Sequence, residues 1–548
     1  MKARSGWRLG VVLRAVAVLA PLASLSSGCA DEGLCTADAL VSALAAARPG
    51  DTVDMGACRV EAALEVGPGV SLVGRGSAAS VLVVPQGEVG VRMTASAETP
   101  LAVRLSSLTI ESGGHIAVLG RNRPGHEGEG GVSVEDVSLH LVRGAGVVLD
   151  GVGRATVRAV TVTGPVSADN ESDPVWLRVR SRADFFPGET CDSVGTDCAT
   201  DGELRAATCA SCPALEQVCR CGVWQTIVAT HGVALFGVYS ATLDGLDVSG
   251  VVDVGVAITD TTTMGTIVLS DVTWRGGSAA EILGTGLLAR GGITLTLAGV
   301  GLERTFEGVR GLPAYGGLFA GVPEDVAAMA PARPTDVRST GLSVVDNARF
   351  GLVHDLVRGS HAMLDAERNG DAAVWLGDAD GFELSGATIV GNAFAGVVAA
   401  DSTDVVVRDS RIESTALATR SVGAFGRVMV GDGVHLARSR SGTRLERVML
   451  RANARTGILV DLGGTTGADL SFTDVTVDGT GSELGAVAGS GAATMPVTLV
   501  AGWSDVGIMR LGATAANDAA AAGITLDLAP TSVPAAPPSP VRIVTPCD

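Results

Sequence analysis

Asn347-Ala348-Arg349-Phe350-Gly351-Leu352-Val353, Asn392-Ala393-Phe394-Ala395-Gly396-Val397-Val398 and Asn453-Ala454-Arg455-Thr456-Gly457-Ile458-Leu459 spell one pattern three times: N-A-x-x-G, then a short alternating strand. Asn369 falls between the first two copies, 22 residues after Asn347 and 23 before Asn392, and Gly433-Val434-His435-Leu436 is a further copy without the asparagine. A second strand precedes each site, as in Leu384-Ser385-Gly386-Ala387-Thr388-Ile389-Val390 and Val405-Val406-Val407-Arg408-Asp409-Ser410-Arg411-Ile412. A unit this short cannot bury its apolar face alone, so copies at a fixed period of roughly 22 to 24 residues must stack on one another. Residues one period apart then form columns. Asparagine suits a turn in such a column, because its side chain bonds local backbone and tolerates the left-handed region, and stacked asparagines can bond each other along the axis.

Working outward, weaker copies run back through Gly146-Val147-Val148-Leu149, Gly255-Val256-Ala257-Ile258 and Gly286-Leu287-Leu288-Ala289. Three stretches break the period: a cysteine-bearing insertion from about Ser167 to Val223, an irregular stretch from about Thr305 to Pro334 expected to be a long loop, and a loop near Ser414 to Val428. Beyond Gly512 the chain turns Ala-rich and then Pro-rich, as expected of a cap or tail. Composition agrees with many short strands joined by turns: 74 glycines, 3% aromatic residues, and Val, Leu, Ile and Thr runs punctuated by Gly, Asp and Asn. At about 4.8 Å per rung, roughly a dozen rungs make a rod of about 60 Å.

At the start of the repeats, Thr36 is a helix N-cap candidate and apolar residues follow at helical spacing to Ala47; Arg48-Pro49-Gly50-Asp51-Thr52-Val53 then leads into strands. A capping helix, a Pro-Gly-Asp-Thr turn and a first strand resemble the opening of the pectin-lyase-like superfamily. The resemblance covers residues 36–511 by architecture and implies an all-β, right-handed parallel β-helix whose open end the helix protects from edge-to-edge association. That superfamily includes polysaccharide lyases, glycoside hydrolases, epimerases, phage tailspikes and proteins without assigned activity, so it implies a fold rather than a reaction. The Asn-Thr-Asp, Gly-His-Gly and Arg-Ile-Lys runs of polygalacturonases are missing. Lys2 is the only lysine, which removes lysine-based chemistry from the mature chain.

The N-terminus carries Lys2, Arg4, Arg8 and Arg14 into an apolar stretch from Leu9 to Leu25, followed by Ser26-Ser27-Gly28-Cys29. This resembles a bacterial lipoprotein signal, which implies lipidation of Cys29, although Ser26 stands where that family prefers leucine; an ordinary secretory signal is the alternative. The expected layout is a signal over 1–28, a lipidated N-terminus and capping helix over 29–59, β-helix over 60–166, the cysteine-rich insertion over 167–223, β-helix over 224–511 and a tail over 512–548. The expected location is the cell envelope, lipid-anchored or secreted. In an exported chain cysteines read first as disulfides. Cys35 and Cys58 flank the helix, and Cys191, Cys198, Cys209, Cys212, Cys219 and Cys221 crowd the insertion, where zinc binding by the last four is the alternative. With Cys29 lipidated, one cysteine is left over, and Cys547 is the candidate.

The formal net charge of −19 argues against nucleic acid and anionic membrane surfaces as partners, leaving a polysaccharide or cell-surface glycan as the expected one and a lipid anchor as the only membrane attachment. On stacked strands a site is made by outward side chains of neighbouring rungs. Aligning on the asparagines puts Trp375, Val398 and His435 at one outward position, the first and last as candidate sugar-contacting residues, and Asp378, Asp401 and Arg438 three residues further along as candidate catalytic residues. Two carboxylates one strand spacing apart need a shared proton, an arginine or a cation such as calcium, and their separation matches a retaining glycosidase pair. Asp380 and Asp404 lie near them in their rungs. Turn chemistry explains the same aspartates, since Asp after a strand is an ordinary turn residue. His354 falls in an inward column as a core histidine, and His361 is expected in a loop without an assignable partner. The expected role is binding, adhesion or envelope structure, with a polysaccharide lyase or hydrolase as the alternative.

Overall fold

The computed structural model describes residues 34–165, 229–312 and 335–478 apart from short breaks, together with isolated strands elsewhere. Helix α1, Ala37–Ala46, begins at Thr36, whose hydroxyl accepts the Ala39 N–H at 3.3 Å, and it buries Leu40 and Leu44 over the first rungs. A Cys35–Cys58 disulfide ties it to the stack. From there the chain winds as a parallel β-helix.

Each full rung contributes three strands, illustrated by Val374–Gly377, Asp380–Ser385 and Thr388–Val390. These belong to three parallel sheets, here called sheets 1, 2 and 3 in rung order. Sheet 1 stacks fourteen parallel strands from Leu64–Val66 to Val497–Ala501, the last of which folds back antiparallel on Gly507–Arg510. In the N-terminal half, sheets 2 and 3 merge, because single strands such as Ala102–Ser112 and Val152–Thr163 bend through the corner without losing register. The bend is one residue in the left-handed region, Ser107, Asp136 and Ala159 in successive rungs (φ 57°, 53° and 50°). That conformation costs a non-glycine residue roughly 1–2 kcal/mol. It persists because the corner amide still bonds along the axis, as with Gly386 to Arg408 O (3.1 Å) and Asp409 to Glu446 O (2.9 Å), and because the next side chain drops into the bore.

The corner from sheet 3 to sheet 1 follows the same rule and corrects one expectation. The left-handed residue is not the asparagine but the one before it: Asp346, Arg368 and Ala452, with Gly391 in the fourth copy. The asparagines themselves are buried and supply the ladder. Asn347 Nδ2 donates to Asn369 Oδ1 at 2.8 Å, and Asn369 Nδ2 donates to Asn392 Oδ1 at 2.7 Å. Threonine occupies rungs that lack asparagine: Thr305 donates to Asn347 Oδ1 through its amide and hydroxyl (2.9 and 2.7 Å), while at Thr415 only the backbone amide donates to Asn453 Oδ1 (3.2 Å) and the buried hydroxyl has no partner among the described residues. Each buried amide thus satisfies groups that a water-free corner would leave orphaned.

The expected irregular stretches carry more structure than the sequence indicated. Residues 305–334 include a sheet 1 strand, Val309–Leu312, paired on both sides. The break near Ser414 to Val428 is a hairpin in which Ala418–Ser421 runs antiparallel to the start of Arg427–Ala437. Past residue 512, Thr525–Asp527 still joins the stack by pairing with Asp469–Thr473. Across the cysteine-bearing insertion the stack continues, with Ala145 paired to His231 and Thr156 to Thr242 and one register shift between Gly144 and Ala145. Leu204–Ala206, Glu216–Arg220 and Val223–Ile227 form a separate antiparallel sheet that starts inside the insertion and runs four residues past its expected end at Val223. The bore is filled by Val, Leu, Ile and Ala with Trp274, Phe382 and Phe472 fully buried.

His361 is not in a loop. It stands on the sheet 2 strand Arg358–Ala362, wholly inside the bore. Its Nδ1 lies 2.6 Å from Ser339 Oγ and its Nε2 lies 3.2 Å from His354 Nε2, with both rings against Phe382. Burial lowers both pKa values, His361 to about 3, so the pair is neutral. The core position expected for His354 holds.

Candidate functional site

The outer face of sheet 1 holds the aligned residues. Trp375 pairs with Val398 and Val398 with His435, and the register continues to Gly377 opposite Ala400 and Ala400 opposite Ala437. Asp378, Asp401 and Arg438 follow directly as the left-handed residues of the corner between sheets 1 and 2 (φ 45°, 52° and 51°), the Asp378 and Asp401 amides donating to Ala400 O and Ala437 O of the next rung. The two aspartates therefore stand on neighbouring rungs of one face. Arg438 Nε donates to Asp401 Oδ1 at 2.9 Å, and its Nη2 closes the second contact to Oδ2.

That ion pair is one of a set. Arg368 bonds Asp346, Arg447 bonds Asp409, Arg304 bonds Glu281 and Arg358 bonds Asp380, each across adjacent rungs at an exposed edge. The arginine hydrogen bonds hold Asp346 and Asp409 below the usual carboxylate range. Asp380 is lowered first by the Thr403 hydroxyl and then by Arg358. Asp404 is a left-handed residue one place beyond Thr403, the partner of Asp380.

Three residues nearer the asparagine corner the face changes character. Phe350, Trp375, Phe394 and His435 form a row along the axis, with ring centroids 5.5, 6.3 and 6.5 Å apart. The first three are half-buried and His435 is buried; beneath them lie Ala372, Ala395 and Val398. The guanidinium of Arg349 covers the Phe350 ring at 4.8 Å. At the other end Arg455 grips the buried Asp432 through two hydrogen bonds of 2.7 and 2.5 Å, with His435 Nδ1 3.6 Å from the same carboxylate. The hairpin begun by Ala418–Ser421 shares its second strand with this end of the row.

Sequence reasoning found Trp375 and His435 but missed Phe350, Phe394, Asp432 and Arg455. Phe350, Phe394 and Arg455 all sit inside the quoted repeats, and Phe394 and Arg455 share one position, two residues after the asparagine. That Phe394 joins the ring row was not readable, because it occupies a left-handed position (φ 66°) that turns it out of the simple alternation. Cys29, Cys191, Cys198, Cys209, Cys212, Cys221 and Cys547 lie outside the described residues, and of Cys219 only the backbone, paired with Trp224, is described. Among the described residues no three His, Cys, Asp or Glu side chains converge as a metal site, and no helix is long and apolar enough to cross a membrane.

No family model matches the chain, and no curated protein matches it. Solved structures do. The mannuronan C-5 epimerase AlgE6 A-module of Azotobacter vinelandii is 14% identical, with 91% of this chain and 95% of that one covered and a TM-score of 0.36. The periplasmic alginate epimerase AlgG is 10% identical over 85% and 82%, with a TM-score of 0.31. The catalytic unit of the GH87 α-1,3-glucanase of Streptomyces thermodiastaticus is 11% identical over 91% and 66%, with a TM-score of 0.29. Likeness at this level is to the fold alone. By its own strand pairing the chain is a parallel β-helix protein.

Proposed function

We propose that this protein is an exported, cell-envelope rod that binds a polysaccharide along the outer face of sheet 1 without cleaving it. The row Phe350, Trp375, Phe394 and His435 is the observation that carries the reading. The half-buried rings of Phe350, Trp375 and Phe394, on successive rungs and backed by the buried His435, offer apolar surface to successive sugars, and aromatic residues combine apolar area with little entropy to lose. Arg349, Arg455 and Arg438 flank the row with hydrogen-bond donors. A lipid at Cys29 would attach the rod to a membrane.

A second reading, a polysaccharide lyase or hydrolase, is favoured by Asp378 and Asp401 on neighbouring corners, where one keeping its proton or a bridging calcium ion would ready the pair. The separating experiment is a screen of the signal-free protein on acidic and neutral polysaccharides, with and without calcium, that follows binding, unsaturated products and reducing ends. Retention of a polysaccharide that Trp375→Ala weakens by about tenfold, with no new ends formed, is the expected result. Turnover abolished by Asp401→Ala would establish the enzyme instead.

A further inference from the structure

Where sheet 1 turns into sheet 2, several N-terminal rungs replace the tight corner with longer connections, which include residues 95–101, 122–128, 260–262 and 266–269. The loops touch: His126 Nε2 lies 3.3 Å from Ala97 O, and the Thr266 hydroxyl donates to Glu127 at 3.4 Å. Beside them runs a groove of 810 Å³. It crosses five successive rungs, because Gly131, Arg154, Ser240, Asp271 and Thr294 pair in one line along the axis. At the spacing of stacked strands that line is roughly 19 Å long.

Its chemistry differs from the rest of the surface in three ways. Part of the lining is glycine, which the stacking requires: Gly130 has φ 65° and a Cβ there would strike Leu101 O of the protein at 1.9 Å, while one on Gly153 would lie 2.4 Å from Gly128 O. One wall is apolar and open to water. Tyr239 and Leu269 line it at 57% and 43% exposure, and Ile267 on the same loop is 60% exposed. Three of the seven large apolar side chains exposed among the described residues gather here. Lastly, the groove gathers both an arginine and an aspartate that face solvent without an ion pair, Arg154 and Asp271; among the described residues Arg92, Arg275 and Arg444 are likewise exposed and unpaired, whereas Arg304, Arg358, Arg368, Arg438 and Arg447 are each fastened to a neighbouring rung.

We infer that this groove binds a short, uncharged oligosaccharide lying along the rod axis, at a site separate from the ring row on sheet 1. The occupant is identified by complementarity. Tyr239 and Leu269 offer an apolar face to one side of a sugar ring, while Ser240, Thr294, Arg154 and Asp271 offer hydroxyl, donor and acceptor groups to its edges. One cation and one anion balance each other in the groove, and the chain as a whole carries −19, so a polyanion meets repulsion without a compensating basic cluster.

The test uses the full signal-free chain and a panel of gluco-, manno-, xylo- and N-acetylglucosamine hexasaccharides alongside oligogalacturonate, with binding followed by titration calorimetry and ligand-observed NMR. At least one neutral hexasaccharide is expected to bind, Tyr239→Ala and Arg154→Ala are each expected to weaken it by about tenfold, and Trp375→Ala is expected to leave it unchanged. Both groove substitutions are at exposed positions, and an unchanged unfolding midpoint verifies that they fold. Binding of oligogalacturonate alone, silence across the neutral panel, or neutral binding that survives Tyr239→Ala and Arg154→Ala overturns the inference. Loss with Trp375→Ala alone would assign the ligand to the ring row and leave the groove without one.

Discussion

Acidification from pH 7 to pH 5 is expected to destabilise the rod through its buried histidines. His361 has its pKa lowered to about 3 and His231 to about 4 by burial, and His354 is held well below its ordinary value by burial and by the neighbouring His361. In the unfolded chain each titrates near 6.5. A lowered histidine pKa means that the unfolded state binds more protons, so stability is full above about 6.5, falls as pH drops below that value, and stops falling only below the folded pKa. At 1.36 kcal/mol per unit, lowering the pH to 5 removes about 2 kcal/mol for each independently titrating buried histidine. His354 and His361 share one contact of 3.2 Å, so the pair is counted once and the expected loss, with His231, is about 4 kcal/mol. The assay is urea unfolding at pH 7, 6 and 5, followed by far-UV circular dichroism. His354→Leu fills the same apolar space and removes one titrating ring, so its unfolding should depend less steeply on pH. Arginine-bonded carboxylates such as Asp346 and Asp409 act in a separate window, losing their contribution only as pH falls below about 4. A midpoint that does not move between pH 7 and pH 5 would refute the neutral bore pair.

Three further outcomes are expected. Asn369→Ala removes both ladder contacts and orphans Val344 O, and should destabilise by about 3 kcal/mol in urea titration, whereas an exposed corner change such as Asp404→Asn should shift stability by less than about 0.5 kcal/mol. Arg438→Ala and Arg447→Ala each break an exposed rung-to-rung pair and should cost less than about 1 kcal/mol; loss of ligand binding or turnover in the first but not the second would separate a site residue from a staple. Cys35→Ser should open the loop closed by Cys58, 23 residues on, lowering stability by about 3 kcal/mol and exposing α1 to proteolysis, with a thiol titration reading one more free cysteine than in the parent protein.

Some of the site was legible in advance because stacking turns sequence period into spatial adjacency. Once Asn347, Asn369 and Asn392 fix the phase, Trp375 must fall beside Val398, and Asp378 beside Asp401, as the pairing has it. The groove was not legible by that means. Its line joins Arg154 to Ser240 across the cysteine-bearing insertion, and its walls come from loops that break the period, so no column in the sequence connects Tyr239 with Leu269. His361 was misplaced for a related reason: a polar residue between Ser360 and Ala362 looks like a turn until its neighbour Ser339 and the ring of His354 are seen to satisfy it.

The sequence by itself determined the repeat, the capping helix, the Cys35–Cys58 staple and the direction in which most side chains point, because each depends on local period and on short-range backbone preference. Only the tertiary structure decided which residues carry the left-handed corners, how threonine replaces asparagine in the ladder, which arginines are fastened and which stand free, and where the loops enclose space. Those outcomes depend on contacts between residues in different rungs, whose energies exist only after the rungs have stacked.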